Sequence, residues 1–287
     1  MGIIGAAAGS GRRSGAYLQS PPMAAPRLSV IVITRNECRH IGDCLRSVGF
    51  ADEWIVVDAA STDDTREIAS SLGARVVETP DWPGFGMQKN RALDLATGDF
   101  VFSIDADERV GAALGAEIRN TVASALPAGP VAWRMSRLSS FCGQTMRHGD
   151  WYPDHVFRLF RRGSARFSAD LVHERLLIDG AIGRLEGQLL HDSIPSLTNA
   201  IDKMNRYTSG RARDKLNQGG RGGLGKAIAH GGWAFVRGYL IKRGFLDGRL
   251  GLVLALHVAE TTYYRYLKMW LDDKMPVKEP CRQNGIT

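Results

Sequence analysis

Four short apolar runs, each closing on a polar residue, constrain this chain more than any other feature. They are "LSVIVIT" from Leu28, "ADEWIVVDAAS" from Ala51, "ARVVET" from Ala74 and "DFVFSID" from Asp99. Their apolar residues are consecutive rather than alternating, the pattern of strands covered on both faces. Between them the periodicity turns helical. "ECRHIGDCLRSV" sets Ile41, Cys44, Leu45 and Val48 on one face, and "STDDTREIASSLG" offers Ser61 or Thr62 as N-cap and Gly73 as stop. "MQKNRALDLATG" closes on Gly98 after the Pro/Gly loop "PDWPGFG". Strand–helix alternation with short links predicts an α/β fold, a mainly parallel sheet with helices on both faces. Ligands of such sheets sit beyond the carboxyl ends of the strands, here at Thr34, Asp58 and Asp105.

The alternation fades after Asp107. "VAWRMSRLSSF", "HVFRLFRRGSARF", "HERLLIDG" and "LEGQLLHDS" read as short strands extending the sheet antiparallel. From Ile201 the chain becomes helical and basic, and the many cations between Lys203 and Arg249 face only Asp214 and Asp247. The net charge of +7 calls for an anionic partner: nucleic acid, an acidic membrane surface or a phosphorylated substrate. No recognised nucleic-acid-binding motif accompanies it, so nucleic acid is set aside. The cysteines (Cys38, Cys44, Cys142, Cys281) form no Cys-X-X-Cys pair, so they suggest neither a zinc knuckle nor a redox pair and fit packing residues in a reduced compartment. "MGIIGAAAGSGRRSG" lacks the continuous apolar core of a signal peptide and reads as a disordered leader, with Met23 as the expected start.

"SIDADERV" puts Asp105, Asp107 and Glu108 within four residues of a strand end. Such acids repel one another unless a cation or basic neighbour offsets them. Alternate residues of an extended turn project to one side, so Asp105 and Asp107 can share a cation. Mg2+ or Mn2+ suits oxygen ligands and bridges carboxylates to phosphate oxygens.

"LSVIVITRNE", "WIVVDAASTDDT", "QKNRALDLATGDFVFSIDADE" and "WYPDHVFRLFRR…VHER" together resemble a family 2, GT-A-fold inverting glycosyltransferase, over roughly residues 27–275. "DADE", "VHE" and "FLDGRLGLVLAL" are most similar to the branch that adds glucose or a related sugar to the lipopolysaccharide inner core. The resemblance implies a GT-A (Rossmann-like) catalytic domain over 27–200, with a nucleotide half (27–110) and an acceptor half (111–200). A disordered leader (1–26) precedes it; a helical membrane-surface region (201–275) and a tail (276–287) follow. It implies that Thr34, Arg35, Asn36 and Glu37 line the nucleotide pocket, that Asp58 meets uracil or ribose, and that Ser61 supports that loop or caps the next helix. Lys89 and Arg91 fall where the family places a base near the diphosphate or donor sugar, although helix residues of this kind can be merely solvated. Asp105 would contact ribose or donor sugar and share the metal with Asp107, its principal ligand; His191 is a further metal or diphosphate ligand, or structural.

Inverting transfer also needs a general base for the acceptor hydroxyl. Glu174 in "VHER" is favoured over Asp154 in "WYPDH", which sits in a Pro-containing turn. The implied partners are a nucleotide-sugar donor (UDP-glucose or similar), a lipid-linked glycan acceptor and the anionic inner face of the cytoplasmic membrane. "GRLGLVLALHVAETTYYRYLKMW" is broken by Arg249, Glu260 and Arg265 below the length of a spanning helix. Its aromatic and basic mixture suits an interfacial helix instead, or a packing helix with a solvated basic face. Alternatives are transfer to a polyprenyl phosphate, an Asp-nucleophile phosphohydrolase, which would want Thr or Val where Arg109 stands, and a non-catalytic scaffold.

Overall fold

The computed structural model describes residues 25–168 and 174–274. Most of the expected leader, the tail, Cys281 and His173 lie outside the described residues.

The first half alternates as expected: β1 (Leu28–Thr34), α1 (Ile41–Ser47), β2 (Glu53–Asp58), α2 (Thr65–Ser71), β3 (Arg75–Glu78), α3 (Phe85–Leu95) and β4 (Phe100–Ser103). β5 (Glu108–Val110), α4 (Ala112–Ala123), β6 (Ala132–Phe141), β7 (Gln144–Thr145), β8 (Asp154–Arg161), β9 (Ala165–Phe167), β10 (Leu176–Ile178) and β11 (Ile182–Ile194) follow. The helical end comprises α5 (Leu197–Asn217), α6 (Leu224–Phe235) continuing into a π-helical turn (Val236–Ile241), and α7 (Gly248–Lys274).

The main sheet runs β3-β2-β1-β4-β8-β6-β11-β5, with β7 paired to β6. β1 is buried along its whole length because β2 and β4 flank it in parallel and helices cover its two faces. Val30, Val32, Ile41, Leu45 and Phe102 share one core cluster, while Ile31, Ile33, Ala92 and Leu93 share another. Cys44 is fully buried among the first set, a packing residue as expected. β8 continues the sheet antiparallel to both β4 and β6. β11 departs from the expected antiparallel extension: it pairs parallel with β6 and antiparallel only with β5.

Two local readings shift. Neither Ser61 nor Thr62 caps α2, whose N-cap is Asp64 without a side-chain bond; the Asp63 carboxylate instead accepts from the Thr65 N–H and hydroxyl. The helix expected from Met87 starts at Phe85, inside the Pro/Gly loop. Gly86 allows this, because a Cβ there would lie 1.9 Å from the Ser168 carbonyl oxygen. The basic helical region begins at Leu197, where the Ser196 hydroxyl accepts from the Asn199 N–H as an N-cap. No helix among the described residues is long and apolar enough to cross a membrane.

Candidate active site

Strand register sets the site. Thr34 pairs with Asp58 across β1 and β2, and the buried Thr34 hydroxyl donates to Asp58 Oδ2 at 2.8 Å. Ser61 donates its backbone N–H to Asp58 Oδ1 at 2.8 Å and its hydroxyl to Oδ2 at 2.5 Å. Asp58 is wholly buried and spends its carboxylate holding this corner; Ser61 serves the loop. The Asn36 N–H donates to Ser61 Oγ at 2.8 Å, and Asn36 Oδ1 accepts from the Thr62 N–H at 2.8 Å. Asn36 has φ 58°, a left-handed conformation that asparagine tolerates better than most residues. The loops after β1 and β2 are thus tied together beside the strand ends.

β4 pairs with β1 through Ile31 and Ser103, so Asp105 emerges two residues beyond the pairing, on the side where Thr34 ends. Its neighbours are cations: Lys89 Nζ lies 3.0 Å from Oδ1, and Arg158 Nη2 is bonded to Oδ2. Lys89 is buried on α3 and also contacts Glu174 Oε1 at 2.9 Å. Arg158 extends to Glu108 Oε1 at 2.6 Å, Glu108 meets Arg137 at 3.2 Å, and Arg137 meets Asp154 at 2.7 Å. Seven side chains therefore alternate in sign: Glu174, Lys89, Asp105, Arg158, Glu108, Arg137, Asp154. Burial alone would push the Asp105 carboxyl up, but Arg158 and Lys89 hold it far below the ordinary range.

Asp107 belongs to a separate pair. β11 runs antiparallel to β5 with His191 opposite Glu108, and the Asp192 N–H donates to the Asp107 carbonyl at 2.9 Å. This brings His191 Nε2 to 3.4 Å from Asp107 Oδ2. The other ring nitrogen, Nδ1, lies 2.9 Å from Ser139 Oγ. When Nδ1–H donates to that hydroxyl, Nε2 keeps its lone pair for a cation. Burial opposes ionisation of Asp107, but with no cation present a protonated His191, donating from Nε2, holds its carboxyl below the ordinary value. Glu37 goes the other way: burial, then the Asp107 charge, push it up to about 7.

Thr34, Arg35, Glu37, Asp105, Asp107 and His191 open into one cavity of about 1020 Å3. Trp82 and Phe85, edge-to-face at 4.9 Å, line it as well. Its far wall comes from α5, α6 and α7. Asp58, Ser61 and Lys89 are buried outside this lining and Asn36 is exposed beside it; Glu174 and Asp154, at the two ends of the ion chain, are not part of the lining either. Arg91 faces away, paired with Asp81 at 2.8 Å.

A divalent cation fits part of this arrangement. Asp107 and His191 offer one carboxylate oxygen and one imidazole nitrogen at a cavity wall, the small protein contribution that phosphate-bridging cations accept. Asp105, expected to share the cation, has Lys89 on one oxygen and Arg158 on the other. Among the described residues no group of three or more His, Cys, Asp and Glu side chains is arranged to hold a metal.

Arg158 and the helical wall were missed in the sequence. Arg158 lies 53 residues from Asp105 and 50 from Glu108, so no local spacing betrays it. The wall did leave a signal: Lys203, Tyr207 and Arg211 recur at i, i+4, i+8, as do His257, Thr261 and Arg265.

Polar strand ends that open into a single large cavity, backed by buried, paired charges, define a ligand-binding α/β enzyme. A family profile described as Glycosyl transferase family 2 matches residues 29–112. An uncharacterized glycosyltransferase of Rickettsia typhi, RT0209, is 30% identical over 253 residues, spanning 85% of this chain and 86% of that protein. The chain belongs to glycosyltransferase family 2. The lipopolysaccharide core biosynthesis glycosyltransferase LpsC of Rhizobium meliloti is 29% identical over 253 residues, 83% of this chain and 93% of that protein. Glucosyl-3-phosphoglycerate synthase of Mycolicibacterium smegmatis is 34% identical, but only over 96 residues, 29% of this chain and 32% of that protein.

Proposed function

We propose that this glycosyltransferase moves a hexose, with inversion, from a nucleotide-sugar donor such as UDP-glucose to a lipid-linked glycan of the lipopolysaccharide-core type. One observation carries this reading: the cavity joins the strand ends of the nucleotide half to a helical wall, with room for donor and acceptor together. The likeness to LpsC supports the acceptor class.

In this reading Thr34, Arg35 and Glu37 line the nucleoside end, and Asn36, Asp58 and Ser61 hold its loops in place. Asp107 and His191 would hold Mg2+ or Mn2+, whose charge would offset that of the diphosphate leaving group. Lys89 and Arg158 keep Asp105 ionised and fixed, facing ribose or sugar. Glu174, joined to Asp105 through Lys89, takes the proton of the acceptor hydroxyl. That oxygen bonds to the anomeric carbon while the bond to the diphosphate breaks on the opposite face.

The helical end suits a membrane surface. Ile228, Leu240, Ile241 and Leu246 are each more than half exposed, and Leu252, Val253 and Leu256 recur along α7. Lys226, Lys242, Arg243 and Arg249 lie among them, a combination that favours an anionic interface.

The test is a donor screen reading UDP or GDP release with Mn2+ or Mg2+, with and without a lipid-linked glycan. Acceptor-dependent release that Asp107→Ala abolishes, with circular dichroism unchanged, is expected. Full activity of that variant at saturating donor and metal would overturn the site, and a glycosyl polyprenyl phosphate product would overturn the acceptor.

A further inference from the structure

The cavity is electrically divided. Its acidic lining, Glu37, Asp105 and Asp107, comes entirely from the loops after β1 and β4. The helical wall lining it has no carboxylate and presents Lys203, Arg211, Arg237 and Arg265. α5, the π-helical turn after α6, and α7 each end their lining stripe on an arginine: Arg211, Arg237 and Arg265.

Most of that positive charge is unanswered. Arg237 has Asp150 at 2.8 Å, an acid it shares with Lys242 at 3.2 Å. Lys203 Nζ donates to the Ser193 carbonyl, at 2.7 Å, and among the described residues has no carboxylate within ion-pair reach. Arg211 and Arg265 have no carboxylate partner among the described residues; Arg265 lies over the Tyr266 ring at 5.1 Å, its Nε buried without a hydrogen-bond partner. Like charges lining one cavity repel one another, and while Asp150 offsets Arg237, no carboxylate among the described residues offsets Arg211 or Arg265. An anion between them supplies that offset, since the arginine fork matches phosphate and carboxylate. Tyr207, Trp233 and His230 alongside supply flat faces of the kind that pack on sugar rings.

We infer that the α5–α6–α7 wall is an anion subsite for the acceptor, so the group receiving the sugar carries a phosphate or carboxylate read by Arg211 and Arg265. This rests on the transfer reading above, in which the donor diphosphate lies at the Asp107–His191 end. The division of charge keeps the two anionic ligands apart: one needs a cation beside the acids, the other meets the protein's own cations. Lys203 stands at the boundary, where its charge opposes the upward push on Glu37 and adds to the lowering of Asp107 by His191.

The experiment is calorimetric titration of the full-length protein with Mn2+. UDP and GDP probe the donor end, glucose 6-phosphate and farnesyl phosphate probe the wall, and methyl glucoside and farnesol are the neutral controls. At least one phosphate probe should bind where its neutral control does not. Arg211→Gln and Arg265→Gln should each raise that Kd by about ten- to a hundredfold and leave nucleotide affinity within about twofold. Arg211 is exposed, so its substitution reads binding without loss of fold even if Arg265→Gln is destabilised. Binding of glucose 6-phosphate places the anion on the acceptor sugar, and binding of farnesyl phosphate places it on the lipid; either supports the subsite. Phosphate probes that bind no better than neutral ones overturn it, as does a parallel loss of nucleotide affinity in the arginine variants. Absence of UDP and GDP binding in the unaltered protein speaks instead against the transfer reading.

Discussion

Arg158→Met removes the central cation of the ion chain while keeping much of the side-chain volume. Arg158 and Glu108 are buried, and Asp105 leans on Arg158 first among its cations. Removing one partner of a buried pair costs about 3–5 kcal/mol, because the remaining charge is left in a poor solvent. Each orphaned acid keeps a second cation, Lys89 at 3.0 Å for Asp105 and Arg137 at 3.2 Å for Glu108. The low end therefore applies, about 3 kcal/mol. At about 2–4 °C per kcal/mol for a chain near this size, Tm should fall by roughly 6–12 °C. Urea denaturation followed by fluorescence gives the free energy directly. Adding Glu108→Gln removes one orphaned charge, so the double variant should be more stable than Arg158→Met alone. A loss below about 1 kcal/mol, the range of an exposed pair, would refute the network's energetic role.

Three further outcomes follow from the same geometry. Asn36→Ala loses the acceptor for Thr62 and forces alanine to φ 58°, costing about 1–2 kcal/mol in urea denaturation, whereas Asn36→Gly should cost less; equal losses would refute the backbone argument. Glu174→Gln should depress kcat at nearly unchanged donor affinity, and the same pattern in Asp154→Asn instead would move the base to the other end of the chain. Burial pushes the His257 pKa below its ordinary 6.5, against the pull of Glu260, so the folded chain resists a proton that the unfolded chain accepts. Stability should thus fall on acidification below that value, and His257→Gln should flatten the curve between about pH 7 and pH 5; parallel curves would refute it.

The first half of the fold, β1 to β4, was legible because its signals are local. Consecutive apolar residues gave β1, β2 and β4, and the polar residue ending each strand gave Thr34, Asp58 and the acids after β4. Harder to read were features made by distant pairing. Asp58 looks like a ligand contact in sequence, yet Thr34 and Ser61 absorb its carboxylate. Nothing local decides whether Glu108 supports the site or lies on the surface; in the fold it is fully buried and accepts from the Asp105 N–H at 3.0 Å. His191 could be read only as a lone histidine after an apolar run, because the β5–β11 register that brings it to Asp107 joins segments far apart in the chain.

The alternating ion chain also governs how such a sequence can drift. It carries four acids and three bases, so its total charge is one negative, and at its centre Lys89, Arg158 and Glu108 are buried. Replacing any inner link by a neutral residue strands the charges on both sides of it. Neutral routes through sequence space therefore run through neighbouring positions changed as compensated couples, such as 158 with 108, while Asp154, at the outer end beside the half-buried Arg137, can vary without stranding a buried charge.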